Sequence, residues 1–293
     1  MISIVTATYN RKDKLYRLFE SLLNQSNKDF EWIVIDDGSI DGTENLINNI
    51  MKKSIPFKIK LYVQNNSGKH VAINNALKIA KGELFFIVDS DDFLPINAID
   101  IIYKNHEKYK KASTIIGYSY LKADKYNSII GKTFKNNSFI DITNLDRKKN
   151  NIYGDRAEIF FTKELRKYEF PSFKDEKFIS EAILWNKIAY EGKKLRFINE
   201  IVYNCEYQAD GISNNIVNNF LKNWKGYTLY VDGEIKYRKS ILSKLSIIYS
   251  YLFLAKEKQL TKLQIKKSLT NAPNYLLNFA LLTFPLYKII FRK

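Results

Sequence analysis

Three carboxylates in four residues, Asp89-Ser90-Asp91-Asp92, follow directly on the apolar run Leu84-Phe85-Phe86-Ile87-Val88. Acids this close repel one another and are costly in a crowded site unless a cation neutralises them. A hard divalent ion, Mg2+ or Mn2+, held by one or two carboxylates and completed by phosphate oxygens, answers that need. The plainer reading is a solvated acidic turn capping a helix after Pro95. A second acidic pair, Asp36-Asp37, closes another apolar run and stands before Gly38-Ser39. A carboxylate there can accept from a nucleobase N–H or hold a ribose hydroxyl; in a plain turn it only caps the next helix. His70 and His106 lie far apart and lack the spacing of zinc ligands, which argues against a zinc site, and His106 is expected at the surface.

These residues need elements to bring them together. Ile2 to Ala7 reads as a buried strand, followed by a helix whose Leu15, Leu18, Phe19, Leu22 and Leu23 form one apolar stripe. Strands are expected at Glu31 to Asp36, Lys58 to Val63 and Leu84 to Val88. Helices fit between them, one capped by Asp41 or Thr43 and running to Met51, the other from Val71 to Ala80 and closed by Gly82. Repeated strand then helix predicts an α/β fold, with a mainly parallel, Rossmann-like sheet flanked by helices. Both acidic clusters then fall at the carboxyl edge of that sheet, where such sheets bind ligands. Thr114 to Tyr120 reads as a further strand, Glu176 or Lys177 to Tyr190 as a helix, and Leu195 to Tyr203 as a late strand. The expected division is a catalytic domain over 1–213, with halves 1–110 and 111–213, and a basic helical extension over 214–293.

Thr6-Ala7-Thr8-Tyr9-Asn10, Ile35-Asp36-Asp37-Gly38-Ser39, Gly68-Lys69-His70 with Asn74, and Lys81-Gly82-Glu83 leading to Asp89-Ser90-Asp91-Asp92 share one order and spacing. Together they resemble the family 2 glycosyltransferases of the GT-A fold, over about ninety residues closely and more loosely to Ser213. Many relatives carry Pro where this chain has Ala7, a change that leaves the backbone path intact. The resemblance implies that Thr6, Ala7, Tyr9, Asp36 and Asp37 surround the donor nucleotide together with Asp89 and Ser90. Asp89 and Asp91 correspond to the Asp-x-Asp pair at the ribose and the metal, Asp92 lies close by as a further catalytic acid, and Lys69 faces phosphate or ribose. His70, beside Lys69, would reach toward the donor. The implied reaction is an inverting transfer of a hexosyl or N-acetylhexosaminyl group from a nucleotide-diphosphate sugar, UDP-linked, to a glycan or lipid-linked glycan of a bacterial surface polysaccharide.

A single displacement needs a base opposite the leaving group. Ser180-Glu181-Ala182-Ile183-Leu184-Trp185 aligns with the family's acidic motif at a helix start, which makes Glu181 the expected base, with Asp175 and Glu176 as competitors. Gly154-Asp155-Arg156-Ala157-Glu158 is a polar cluster in which Asp155 or Glu158, with Glu176, would meet acceptor hydroxyls; an Arg–carboxylate structural pair fits it equally. Asp210-Gly211-Ile212-Ser213 reads as a loop closing over the diphosphate or as a turn into the last helices.

The bulk properties bound the rest. The chain has 293 residues, 45% of them apolar, with only 5 Pro and 11 Gly, so a packed core is expected and long flexible linkers are not. The lone cysteine, Cys205, excludes an internal disulfide; without a visible signal peptide it places the catalytic part in the cytoplasm. From Asn214 onward 14 Lys and Arg stand against 3 Asp and Glu, a balance of +11 within a total of +16. That excess calls for an anionic partner. It lies beside apolar helical stripes and no nucleic-acid motif accompanies it, so an anionic membrane surface is favoured over nucleic acid. Tyr275 to Phe291 is short for a span and reads as an interfacial helix inserting Leu276, Leu277, Phe279, Leu281, Leu282 and Phe284, with Lys266, Lys267, Arg292 and Lys293 at the headgroups; the plainer reading packs these apolar residues on the catalytic domain or a partner subunit. The enzyme would then sit at the inner face of the cell membrane. A phosphatase using Asp89 as nucleophile would need that motif on its first strand, and no Gly-rich nucleotide loop is present. The remaining alternative is an inactive, membrane-docked scaffold of the same fold.

Overall fold

The structure, a computed structural model, describes residues 1–110, 114–135, 138–206 and 215–290. The first part alternates strand and helix: β1 (Ile2–Thr8), α1 (Lys12–Leu23), β2 (Phe30–Asp36), α2 (Thr43–Met51), β3 (Lys58–Val63), α3 (Lys69–Ile79), β4 (Leu84–Ile87) and α4 (Ala98–Tyr109). It continues with β5 (Ile115–Asp124), β6 (Ile129–Ile130), β7 (Phe139–Ile142), β8 (Arg156–Phe161), α5 (Thr162–Leu165), α6 (Ala182–Tyr190) and β9 (Lys194–Cys205). Helices α7 (Ile216–Lys222), α8 (Trp224–Tyr237), α9 (Ile241–Glu257), α10 (Lys262–Ser268) and α11 (Asn274–Ile290) complete it.

One sheet runs through the molecule in the order β3-β2-β1-β4-β8-β5-β9-β7, with β6 paired to β5. β3, β2, β1 and β4 are parallel, β8 runs antiparallel to β4 and β5, and β5 pairs parallel with β9. The sheet is therefore mixed but mainly parallel in its first half, as the alternating pattern requires. β1 and β2 are buried along nearly their whole length, consistent with helices on both faces. Even-numbered β1 residues Ile2 and Ile4 pack with Leu15, Leu18, Phe19, Leu22 and Trp32 on one side, while Val5 packs with Ala72, Ile73, Ala76 and Trp185 on the other. Asp41 serves the start of α2 by accepting from the Thr43 N–H and hydroxyl.

Some elements depart from the sequence expectation. The helix expected from Glu176 begins only at Ala182, because Glu176 and the residues after it are committed to contacts with α8. The last region gains α8, whose Tyr227, Val231 and Ile235 are buried with Ile248, Tyr251 and Leu252 of α9, and Arg238 to Ser240 separates it from α9. His106 is buried rather than at the surface: its ring stands edge-on to Tyr118, its Nδ1 is 3.1 Å from that hydroxyl, and Phe161 packs alongside. The Leu276 and Leu277 expected to enter lipid are core residues of the helical region.

Candidate active site

The crevice forms where β1, β2 and β4 end. β1 and β2 lie in register from Ile2 opposite Phe30 to Thr8 opposite Asp36, and β4 aligns Leu84 opposite Ile2. The turns that follow are therefore side by side. Asn10, at φ 50°, donates its N–H to Ser39 Oγ and accepts from the Ile40 N–H, both at 2.9 Å, stapling two of these turns. Ala7 is half-buried and Tyr9 is exposed at the rim. Thr6 lies beneath them in the core, where its hydroxyl accepts the Trp32 indole N–H at 3.1 Å.

Asp36 is fully buried and accepts from the Ser39 N–H at 2.9 Å, leaving its second oxygen without a partner. Asp37 takes three hydrogen bonds, from Gln64 Nε2, the Ser67 N–H and the Gly68 N–H at 2.7 to 2.8 Å. It thereby fixes the loop that delivers Lys69. Gly68 has φ +96° and its backbone lies so close to residue 177 that a Cβ would stand 2.1 Å from the Lys177 carbonyl oxygen. Only glycine satisfies both conditions. His70 is buried with both ring nitrogens unpartnered; burial lowers its pKa to about 4, opposed by the charge of Asp37, so the imidazole is neutral.

Lys69 joins the two halves. Its Nζ lies 2.5 Å from Asp89 Oδ1 and 2.7 Å from Glu181 Oε1. Burial would lower the Lys69 pKa, but the two carboxylates raise it, so the cation is firmly held. Burial likewise pushes Asp89 up, while Lys69 and Lys122 hold it below the ordinary Asp value. Asp91 pairs with Arg11 at 2.7 Å, and its carbonyl accepts from Arg17, which also pairs with Glu206. Ser90 is buried between them in sequence. Asp92 accepts from Tyr203 Oη at 2.8 Å, and the same oxygen accepts the Asp89 N–H at 2.9 Å, so one phenol braces the turn from both sides. Burial and the charge of Asp89 raise Asp92 to about 6.

The strands of the second half contribute residues that sequence reasoning missed. Lys122, near the end of β5, has its Nζ 4.2 Å from the centre of the Tyr203 ring and faces Asp89, Glu158 and Asp92. An isolated lysine in a strand gives no motif to find it by. Glu158 is half-buried on β8, and burial raises it to about 7, against the opposing charges of Arg147 and Lys122. Arg156 donates to the carbonyls of Ser119 and Ile198 at 3.0 and 2.7 Å, where one of the two sequence readings pairs it with a carboxylate. Asp155 is exposed, and its charge bears on Cys205 together with those of Lys122, Asp92 and Asp89.

Of the three acids considered for the base, the fold brings Glu181 to the crevice. Glu176 accepts the Lys225 and Gly226 N–H groups at 2.8 Å and so caps α8. Both its oxygens are engaged there by backbone N–H groups. Asp175 is exposed at φ 68°. The Asp210 to Ser213 segment falls outside the described residues. No three His, Cys, Asp or Glu side chains among the described residues are grouped to cage a metal. Asp89 and Asp91, the acids that the resemblance offers to a metal, are each paired with a cation here, Lys69 and Arg11.

Residues 3–168 match the model of glycosyl transferase family 2. The chain is 38% identical over 118 residues to the poly(ribitol-phosphate) beta-N-acetylglucosaminyltransferase TarP of Staphylococcus aureus; that stretch is 40% of this chain and only 36% of TarP. It is 25% identical over 289 residues to the Campylobacter jejuni GalNAc(5)-diNAcBac-PP-undecaprenol beta-1,3-glucosyltransferase, covering 94% of this chain and 91% of that one. Among solved structures, S. aureus TarS 1–349 in complex with UDP-GlcNAc superposes with a TM-score of 0.61 at 17% identity, over 97% of this chain and 88% of that one, which establishes the fold as the GT-A type.

Proposed function

The chain belongs to glycosyl transferase family 2, and on that premise we propose that it moves one hexosyl or N-acetylhexosaminyl group from a UDP-sugar to a lipid-linked or polyol-phosphate glycan of a bacterial cell surface. The observation that carries the reading is the Lys69 bridge, which sets the candidate base Glu181 and the Asp-x-Asp carboxylate Asp89 on one cation. A donor bound at the strand ends has its diphosphate at Asp89 and its anomeric carbon toward Glu181. Similarity to an enzyme crystallised with UDP-GlcNAc and to enzymes named for polyribitol-phosphate and undecaprenyl-diphosphate acceptors supports the substrate classes.

In the proposed single displacement, an acceptor hydroxyl gives its proton to the Glu181 carboxylate as its oxygen bonds to the anomeric carbon. The bond from that carbon to the nucleoside diphosphate breaks on the opposite face, inverting the configuration. A divalent ion held by Asp91 and Asp89 would neutralise charge on the departing diphosphate. Lys69, released from the carboxylates by an incoming diphosphate, would share that charge and leave Glu181 free to take the proton. Asp37 positions the loop carrying Lys69, and Tyr203 braces Asp89 and Asp92. With its acceptor carried on lipid, the enzyme would work at the inner face of the cell membrane.

The test is nucleotide release from UDP-, GDP- and dTDP-sugars with Mn2+ or Mg2+, with EDTA, and in Asp91→Ala. The expected result is metal-dependent UDP release that increases when a membrane extract supplies acceptor and disappears in the variant. Absence of release from every donor would favour an inactive scaffold; release unchanged by Asp91→Ala would remove the metal assignment.

A further inference from the structure

The last helix has two faces with different fates. Leu276, Leu277 and Ala280 of α11 are buried with Ile248, Tyr249 and Leu252. Tyr275, Phe279, Leu282 and Leu286, spaced by four, three and four residues, stand 51 to 78% exposed along the other side, with Pro285 exposed beside them. Four large apolar side chains on one stripe are more than scattered surface hydrophobicity and mark a binding face.

The charge of the segment that carries the stripe selects its occupant. From Lys258 to Lys293 the chain holds seven Lys and Arg and no Asp or Glu. On α10, Lys262, Lys266 and Lys267 are exposed. A second copy meeting this face would bring cations against cations, with no acid in either segment to pair them. Anionic lipid headgroups take the lysines while the acyl boundary takes the apolar stripe. We infer that Tyr275, Phe279, Leu282 and Leu286 dock α11 in the interfacial plane of a bilayer containing anionic lipid. The helix lies in that plane and does not cross, since no described helix is long and apolar enough to span a membrane. The inference rests on the proposed membrane-held acceptor, and it replaces Leu276 and Leu277 as the inserted residues.

The full chain and a Phe279→Asp/Leu282→Asp double variant are sedimented with phosphatidylcholine vesicles, with and without phosphatidylglycerol, and both are assayed for UDP release with UDP-GlcNAc. Binding to the anionic vesicles alone, reduced about tenfold or more in the variant with UDP release retained, is the expected result. Equal sedimentation of the two proteins overturns the inference, as does a concentration-dependent dimer that the same substitutions abolish without any vesicle binding. Failure of UDP release in both proteins would count against the proposed reaction and leave the vesicle result to decide the docking face.

Discussion

The crevice and the helical region differ in what holds them together. In the crevice Asp36 ends β2 while Asp37, Asp89 and Asp92 stand on the turns after β2 and β4, and backbone amides, the Gln64 amide or a phenol hold them: Asp37 accepts three bonds, Asp36 one, and Tyr203 braces Asp89 and Asp92. In the helical region rings supply many of the fixed contacts, with Tyr227 stacked on Tyr251 and Phe220, and Tyr249 stacked on Tyr287; Asp232 repeats the crevice pattern by accepting three bonds from Thr270 and Asn271, and the lysines of α10 lie on open faces. Locked turns specify chemistry; packed helix faces specify stability and leave the outer surface for association.

The largest effects should separate the two regions cleanly. Glu181→Gln is expected to lower sugar transfer by about 10^2- to 10^4-fold with little change in melting temperature, as loss of a general base does. Leu252→Ala, in the helical core, should do the reverse, costing about 2–5 kcal/mol in denaturant unfolding while the surviving folded enzyme keeps its kcat. A catalytic loss in the second, or a stability loss in the first, would break the contrast. Lys69→Met should come next. It removes the cation shared by Asp89 and Glu181, and kcat/KM should fall about 10^2-fold, partly restored by Lys69→Arg.

Gly68→Ala tests whether the locked turn is also structural. A Cβ at φ +96°, against the residue 177 backbone, should cost about 1–3 kcal/mol by denaturant midpoint and weaken donor binding. The smallest effect concerns pH. Burial raises Glu158 from 4.5 to about 7 in the folded chain. Its stabilising contribution is complete below 4.5 and declines as pH rises through 7, because the unfolded chain gives up that proton first. Glu158→Gln should flatten this part of the profile in melts between pH 5 and 8; an unchanged slope would assign the decline to other groups.

The donor side was legible because parallel strands force their following turns together: Asp36, Asp37, Lys69 and Asp89 are each within a residue or two of a strand or helix boundary that the apolar runs announce. Glu181 was reached only through the resemblance, since the apolar pattern put the helix start at Glu176 or Lys177 and not at Ala182. Thr6 was misleading, since strand alternation places it under the sheet, bonded to Trp32. Glu176 and Glu181 look alike in sequence, and only the long-range capping of α8 by Glu176 separates them. Lys122 and the burial of His106 depend on strands that pair across much of the chain, and no local period encodes such pairing. The helices of the last region were readable as helices, but which side of α11 faced inward was decided by α9, a partner the periodicity of α11 cannot name.

The join between the two regions is stitched from both sides. Glu176 caps the start of α8, and Asn223, at the head of that helix, accepts the N–H groups of Lys177 and Phe178 at 2.8 and 3.0 Å. Asn186 of α6 donates to Glu234 a few turns further along. A hybrid enzyme spliced at residue 214 would inherit one half of each pairing and mismatch the other, loosening the segment that carries Glu181. A splice placed before Glu176 would carry donors and acceptors together, so the transferable cassette for exchanging tails between related enzymes begins inside the catalytic half.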